Sequence, residues 1–271
     1  MLGGLRASFY RTGIAVALLA AAVVFSGSKI PAASAALIIL MISGAIGFGA
    51  GDLALYHAYE KIGPRLAVLL CQCLAVPMAI ITEWVWMGTT LAIGDLGCIS
   101  VILLGVLLAL APKDNPHLPP KRLLAGLLLG CIAAIGQGGG AVLSRRAYEV
   151  LQTENLPIEP IAITFIRLGT GFLFLIVWVA VTRGMKPMET TTLRRSAPWL
   201  LVNAMAGPFL GVIAYQYALS VAPSGPVLAV VATTPIMVMP LTLALDGDRM
   251  TRRALFGSVL AVAGVIGLLA G

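Results

Sequence analysis

Charge is what this sequence has least of. Only 11% of its 271 residues are Asp, Glu, Lys or Arg, against about 25% in an average soluble domain. With 59% of positions hydrophobic, too few charges remain to cover a water-facing surface. Histidine is nearly absent: His57 and His117 are the two. The four cysteines, Cys71, Cys73, Cys98 and Cys131, lie in apolar stretches with no His or Cys partner at metal-ligand spacing. They read as small packing residues, and no metal or other cofactor is expected. No Gly-x-x-x-x-Gly-Lys-Ser/Thr run occurs, which argues against an ATP-driven pump in this chain. Two histidines and scattered acids supply no Ser/His, paired-Asp or metal constellation, so an intramembrane enzyme is disfavoured.

What is present is long uncharged sequence. No charged residue falls in 12–28, 30–51, 66–82, 96–112, 123–144, 168–182, 196–245 or 254–271. A bilayer core of about 30 Å demands roughly 17 to 25 apolar residues per helix. The run 196–245 is twice that length and is broken by "APSGP" at 222–226, so it reads as two helices and a tight turn. Nine spans follow, near 8–26, 34–59, 64–87, 91–111, 123–147, 160–182, 197–221, 224–245 and 252–270. The expected fold is an all-α polytopic membrane bundle. Arg6, Arg11, the apolar run 13–25 and "ASA" at 33–35 also fit a cleaved signal peptide, a reading weakened by the repeat described next. The net charge of +7 belongs to loops beside a membrane, and no nucleic-acid partner is expected.

The two halves are weakly self-similar. "SFYRTGIAVALL" at 8–19 resembles "TFIRLGTGFLFL" at 164–175, and "LYHAYEKIGPRLAVLL" at 55–70 resembles "YQYALSVAPSGPVLAV" at 215–230. "GDLGCISVILLGVLLAL" at 94–110 resembles "RALFGSVLAVAGVIGLL" at 253–269. The offset stays between 156 and 160, so spans one to four match spans six to nine, and the fifth has no partner. A step of five helices makes matched spans cross in opposite directions. The Lys and Arg bias tests this independently. With the N-terminus inside, 14 of the 18 basic residues fall in cytoplasmic segments; Lys29, Arg145 and Arg146 lie opposite, and Arg167 lies within the sixth span. The bias flips between matched loops, as an inverted-topology repeat requires.

The Arg near the start of spans one and six ("SFYRTG", "TFIRLG"), the segment "GDLALYHAYEKIGP", and "YQYALSVAPSGPVLAVVATTPIMVMP" followed by "DGDRMTRRALFGSVLAVAGVIGLL" carry a resemblance. The chain resembles the drug/metabolite transporter superfamily, specifically proteins with two EamA-like domains. The resemblance implies a first repeat at 1–112, a cytoplasmic linker at 113–122 and a second repeat at 123–271. It also implies ten helices; the first, the partner of the fifth span here, is not in this sequence, which reads either as a misplaced start or as a shortened form. The acid that commonly follows the fourth and ninth family helices is Gly88 in the first repeat and Asp248 in the second. Asp248 reads as a helix-start or ion-pair residue. The charge bias places the C-terminus outside, opposite to the usual family expectation.

An ionisable group within a span is a functional hypothesis by default. Asp52 is the leading candidate, about eight residues or roughly 12 Å of rise from the cytoplasmic end of its span. Tyr56 and Tyr59 share its face at i+4 and i+7, with His57 to the side. Two readings stand: a protonatable residue lining a cavity, or an acid fixed by Arg11 or a backbone amine to hold helices together. Arg11 and Arg167 read as snorkelling to headgroups, and Glu60 and Glu83 as interfacial. Gln137 lies on a stripe with Ala141 and Ser144, behind Gly126, Gly130 and Ala134. Asn203, Gly207, Leu210 and Tyr217 form a comparable stripe, with Tyr215 and Gln216 beside it; Gln72, Thr233 and Thr234 add further polar groups. Together these suggest a neutral-to-weakly-charged site near the midplane, between repeats.

The function expected is secondary transport of a small metabolite, amino acid or drug-like solute by alternating access, with proton coupling as an option. The runner-up is a lipid flippase or a non-transporting partner subunit. The partners expected are a small solute and the bilayer, with a homodimer left open, and the location is a cell (inner) membrane. A phosphatase reporter fused after Gly271 is expected to be active outside the cell; a cytoplasmic signal there overturns the orientation.

Overall fold

The computed structural model describes residues 4–32, 34–110, 118–182, 190–237 and 251–270. Among these the regular structure is helical: α1 (Gly4–Ser26), α2 (Ala35–Gly44), α3 (Asp52–Ile62), α4 (Pro64–Met87), α5 (Ile93–Leu110) and α6 (Pro120–Thr153). The second half adds α7 (Pro160–Thr182), α8 (Thr190–Ala204), α9 (Val212–Val221), α10 (Ser224–Ala232) and α11 (Arg252–Ala270). A π-helical segment, Ala45–Gly51, joins α2 to α3 in one rod, and another, Met205–Gly211, joins α8 to α9. Among the described residues eight rods are long and apolar enough to cross a membrane; Ser224–Met237 is a shorter apolar helix at the place of the expected span 224–245, whose continuation lies outside the described residues. Asp248 lies outside them too.

The helix boundaries have local causes. Ser34 caps α2, its hydroxyl accepting from the Ala36 N–H at 3.0 Å. Gly63, at φ +79°, ends α3 in the left-handed region, and Pro64 restarts the chain at the first position of α4. Basic residues then finish helix C-termini: Arg122 donates to the Glu60 and Lys61 carbonyls at 2.8 and 3.1 Å, and Arg65 to the Ala109 and Leu110 carbonyls at 3.0 and 2.7 Å. These arginines count towards the loop charge bias and also satisfy carbonyls that a helix end leaves open. α6 runs six residues past its expected end because Ala147, Tyr148 and Leu151 continue a buried face. Arg145 and Arg146 therefore sit within a helix, Arg146 paired with Glu149 at 2.7 Å.

The chain forms two compact units, and neither is a sequence repeat. The first comprises Met1–Tyr56 and Gly140–Val221, the second His57–Gly139 and Ala222–Gly271. The division crosses α3 and α6. Each unit collects matched helices from both repeats: α1 with α7 and α2 with α8–α9 in the first, α4 with α10 and α5 with α11 in the second. Within the first, Ala15 and Leu19 of α1, Leu168 of α7 and Ala204 of α8 form a buried cluster. That placement packs α1 against α7 and α8.

Within the second unit, α5 and α11 pack backbone against backbone. A Cβ on Gly105 would lie 2.6 Å from the Gly257 carbonyl and 2.5 Å from the Ala261 nitrogen. A Cβ on Gly264 would lie 3.0 Å from the Cys98 carbonyl and 2.7 Å from Ile102. At the repeat offset of 159, Gly105 matches Gly264, Cys98 matches Gly257 and Ile102 matches Ala261. The two contact sets are thus the same contact seen from either side of a local two-fold axis. Small residues at such a seam let helices approach closely where lipid supplies no hydrophobic drive. Gly105→Leu is expected to cost at least about 1–3 kcal/mol from overpacking and lower the melting temperature in detergent. Gly97→Leu, on the same helix but with nothing near a new Cβ, is expected to leave it unchanged.

Candidate functional site

The residues singled out by sequence fall into three polar groups. The first unit holds two of them. In one, Arg11 of α1 donates to the Tyr56 hydroxyl at 3.2 Å and to Asn203 Oδ1 at 3.4 Å. Asp52 begins α3 directly after the first π segment, and its own N–H bonds back to the Gly47 and Gly49 carbonyls. The side chain is half-buried and lies within the electrostatic reach of Arg11. No ion pair joins the two among the described residues, and no hydrogen bond to the Asp52 carboxylate occurs among them. Arg11 is committed to a tyrosine and an asparagine, so the reading of Asp52 as an acid pinned by Arg11 is not what the geometry shows.

The other group surrounds Arg167, which is buried at 2% exposure rather than reaching headgroups. Its Nη1 donates to Gln216 Oε1 at 2.6 Å, and its Nη2 to the Gly140 carbonyl at 3.2 Å. The Phe48 ring lies 5.0 Å from the guanidinium carbon. Ser43 donates to the same Gly140 carbonyl at 2.6 Å, and Tyr148 donates to the Gln216 carbonyl at 2.9 Å. Tyr215 is half-buried and close enough to interact electrostatically with the guanidinium. The approach depends on glycine: a Cβ on Gly44 would collide with the Arg167 carbonyl, and one on Gly140 would meet Arg167 Nη2 at 3.2 Å and the Gly47 Cα at 3.3 Å. Burying an arginine at membrane depth costs about 2.5–3.5 kcal/mol on insertion scales, and three neutral partners, Gln216, Gly140 and Phe48, offset that here.

The two groups are related by the repeat. Arg11 matches Arg167, Tyr56 matches Gln216, and Asn203 matches Ser43 at offsets of 156 to 160. Each arginine thus meets one residue on the rod of its own repeat and one level of the opposite rod. The π segments obey the same offset, since 45–51 and 205–211 differ by 160. The matched pairs differ in covering. Arg167 is packed by Gly140 of α6, whereas Arg11 is half-buried and Asn203 is exposed.

The third group lies in the second unit. Gln137 of α6 donates to Gln72 Oε1 of α4 at 2.7 Å and accepts from the Cys71 thiol at 3.2 Å. Gly126, Gly130 and Gly138 bring α6 against Ile62, Leu70 and the Ala75 carbonyl, as the small-residue stripe suggests. His57 is half-buried in this unit. Thr233 and Thr234 bond to the Val230 and Val231 carbonyls at 2.7 and 2.6 Å. Pro235 leaves the Val231 carbonyl without its usual donor, so Thr234 serves the backbone rather than a solute.

Asn203, Gly207, Leu210 and Tyr217 are all exposed, Tyr217 at 61%, so they share one exposed face of their rod, while Gln216 beside them is fully buried. One expectation needs correction. Glu83 is not interfacial: at 2% exposure it accepts from the Ser224 N–H at 2.8 Å and from the Ser224 hydroxyl. A carboxylate near the last turn of α4 thus caps the positive end of α10. Only the match of α4 to α10 in space could have revealed this, because 141 residues separate the partners.

Matched helices in two pseudo-symmetric sets, with polar side chains on their buried faces, define an inverted-repeat membrane transport protein of the drug/metabolite transporter superfamily. The chain belongs to the EamA-like transporter family, whose model matches residues 2–111 and 124–270. No curated protein matches it. Among solved structures, one described as "Crystal structure of protein" superposes with a TM-score of 0.74 at 14% identity, covering 100% of this chain and 89% of that one. At that identity the likeness speaks for the fold.

Glu83→Ala is expected to destabilise the protein by about 1.5–3 kcal/mol, the usual worth of hydrogen bonds to a charged group. Ser224→Ala, which keeps the backbone donor, is expected to cost less than half as much. Melting of the purified variants in detergent checks the order.

Proposed function

We propose that this protein is a secondary transporter that moves a small metabolite, amino acid or drug-like solute by alternating access, with Asp52 as the coupling residue. The observation that carries the reading is the pairing of one half-buried, unbonded carboxylate with a hinge. Asp52 follows the first π segment directly, and its counterpart after the second is Val212. A π turn weakens the regular hydrogen-bond ladder and recurs at functional sites in helices. Two such turns, one on each matched rod of the first unit, give both rods the same point of bending, which suits alternating access. The acid is the asymmetric element on this symmetric frame. A proton there neutralises it when the site is dry and leaves when the site is wet.

Tyr56, Asn203 and Arg11 beside Asp52, with Tyr215 and Gln216 on the same unit, support a solute site there. Gln72 and Gln137 offer amide groups in the other unit, and His57 and Tyr217 have the weaker claim. The orientation proposed is the N-terminus in the cytoplasm and the C-terminus outside, in the cell (inner) membrane.

Reconstituted into vesicles, the wild-type protein is expected to accumulate a transported solute when an inward or outward proton gradient is imposed. Asp52→Asn is expected to lose the response to the gradient by about tenfold or more while retaining solute exchange, because a fixed neutral side chain mimics one protonation state. Gradient-driven flux that persists in Asp52→Asn removes the coupling role, and no flux of any solute class by the wild type removes the transporter reading.

A further inference from the structure

The Arg167 group contains donors that the fold does not use. Nε of Arg167 and Nε2 of Gln216 have no hydrogen-bond partner among the described residues, although the two side chains are 2% and 0% exposed. Buried N–H groups are nearly always bonded, and each exception calls for a reason. No carboxylate touches Arg167 among the described residues: its partners are an amide oxygen, a backbone carbonyl and an aromatic face. A full positive charge therefore sits in the first unit without a counter-ion among the described residues.

The orientation of Gln216 follows from this. The guanidinium holds Oε1 at 2.6 Å, which turns the amide NH2 away from Arg167 and keeps it a donor. Tyr148 fixes the backbone at the same residue through the Gln216 carbonyl. One cation and one neutral amide then present unused N–H groups on adjoining side chains. A planar anion with two oxygens suits such a pair, because one oxygen can take the guanidinium edge and the other the amide. A phosphate has more oxygens and a greater charge than one arginine balances, and a cationic or neutral solute would leave the charge uncompensated.

We propose that Arg167 and Gln216 form the point at which the transported solute is recognised, and that they select solutes bearing a carboxylate. The proposal rests on the transporter reading above and narrows it. Both side chains are contacts, and Arg167 also orients Gln216 and supplies the charge. The site is closed in this structure; the π segment Met205–Gly211, on the same rod as Gln216, is where α9 re-packs to admit the solute.

The test compares acids with their amides. Lactate against lactamide, benzoate against benzamide, phenylalanine against phenylalaninamide, and inorganic phosphate are titrated into detergent-solubilised protein at constant ionic strength, with melting temperature as the readout. At least one acid is expected to stabilise the wild type with an apparent affinity about tenfold or more above that of its amide, as a charge-assisted bond implies. Gln216→Glu is the deciding variant. It places a fixed carboxylate against Arg167, so the protein remains folded and its own melting temperature holds or rises, while stabilisation by the acid is lost. A purely structural Arg167–Gln216 pair would leave acid binding intact in that variant. Acid binding that survives Gln216→Glu, equal effects of acid and amide, stabilisation by phosphate alone, or no effect of any acid overturns the proposal. Flux of neutral or cationic solutes with none of carboxylates would overturn it while leaving the transporter reading standing.

Discussion

One guanidinium organises the first compact unit. Arg167 cannot reach water, so every group around it is placed to offset a buried charge. The Gly140 carbonyl faces it because α6 carries glycine at that level, and Ser43 shares that carbonyl because Gly44 lets α2 come close. Phe48 turns its ring face to the cation from the π segment. Gln216 gives its amide oxygen and is thereby held in one orientation. Larger residues at these glycines would push away the dipoles that make the arginine tolerable, and the cost of an unpaired charge in hydrocarbon would follow. Composition, packing and polarity thus meet at one residue.

The same logic is applied twice with different results. Symmetry relates Arg11 to Arg167 and one π segment to the other, yet the environments diverge. Arg167 is sealed among neutral dipoles, while Arg11 lies half-buried beside an acid that it does not bond. The two matched arginines thus occupy different surroundings within a single unit. In the second unit the seam of α5 and α11 is symmetric to the level of individual contacts, and Glu83 ties α4 to α10.

Much of the fold was legible because the bilayer imposes simple length and charge rules. The spans 64–87 and 160–182 were placed to the residue, and "APSGP" was read as the turn between α9 and α10. What failed, failed for physical reasons. Arg167 and Glu83 were placed at the interface because a lone charge in an apolar run usually sits there, and their neutral partners are 27 to 141 residues away. The grouping of Asp52 with Tyr56 was readable, since both lie on one helix face. Arg11 was weighed as a partner of Asp52, but its bonds to Tyr56 and Asn203 were not readable, since Asn203 is 192 residues away.

The sequence by itself determined that the chain crosses a membrane as apolar helices, that its halves are inverted copies, and that Asp52 breaks the symmetry. These follow from local hydropathy, loop charge and self-similarity, none of which needs a contact map. Only the tertiary structure decided that the compact units cut across the repeats, that π segments shift the register, and which arginine is sealed. Such features depend on backbones approaching where glycine permits, and on hydrogen bonds between residues far apart in the chain. Burial of a charge is a property of its neighbours, and neighbours are assigned by packing.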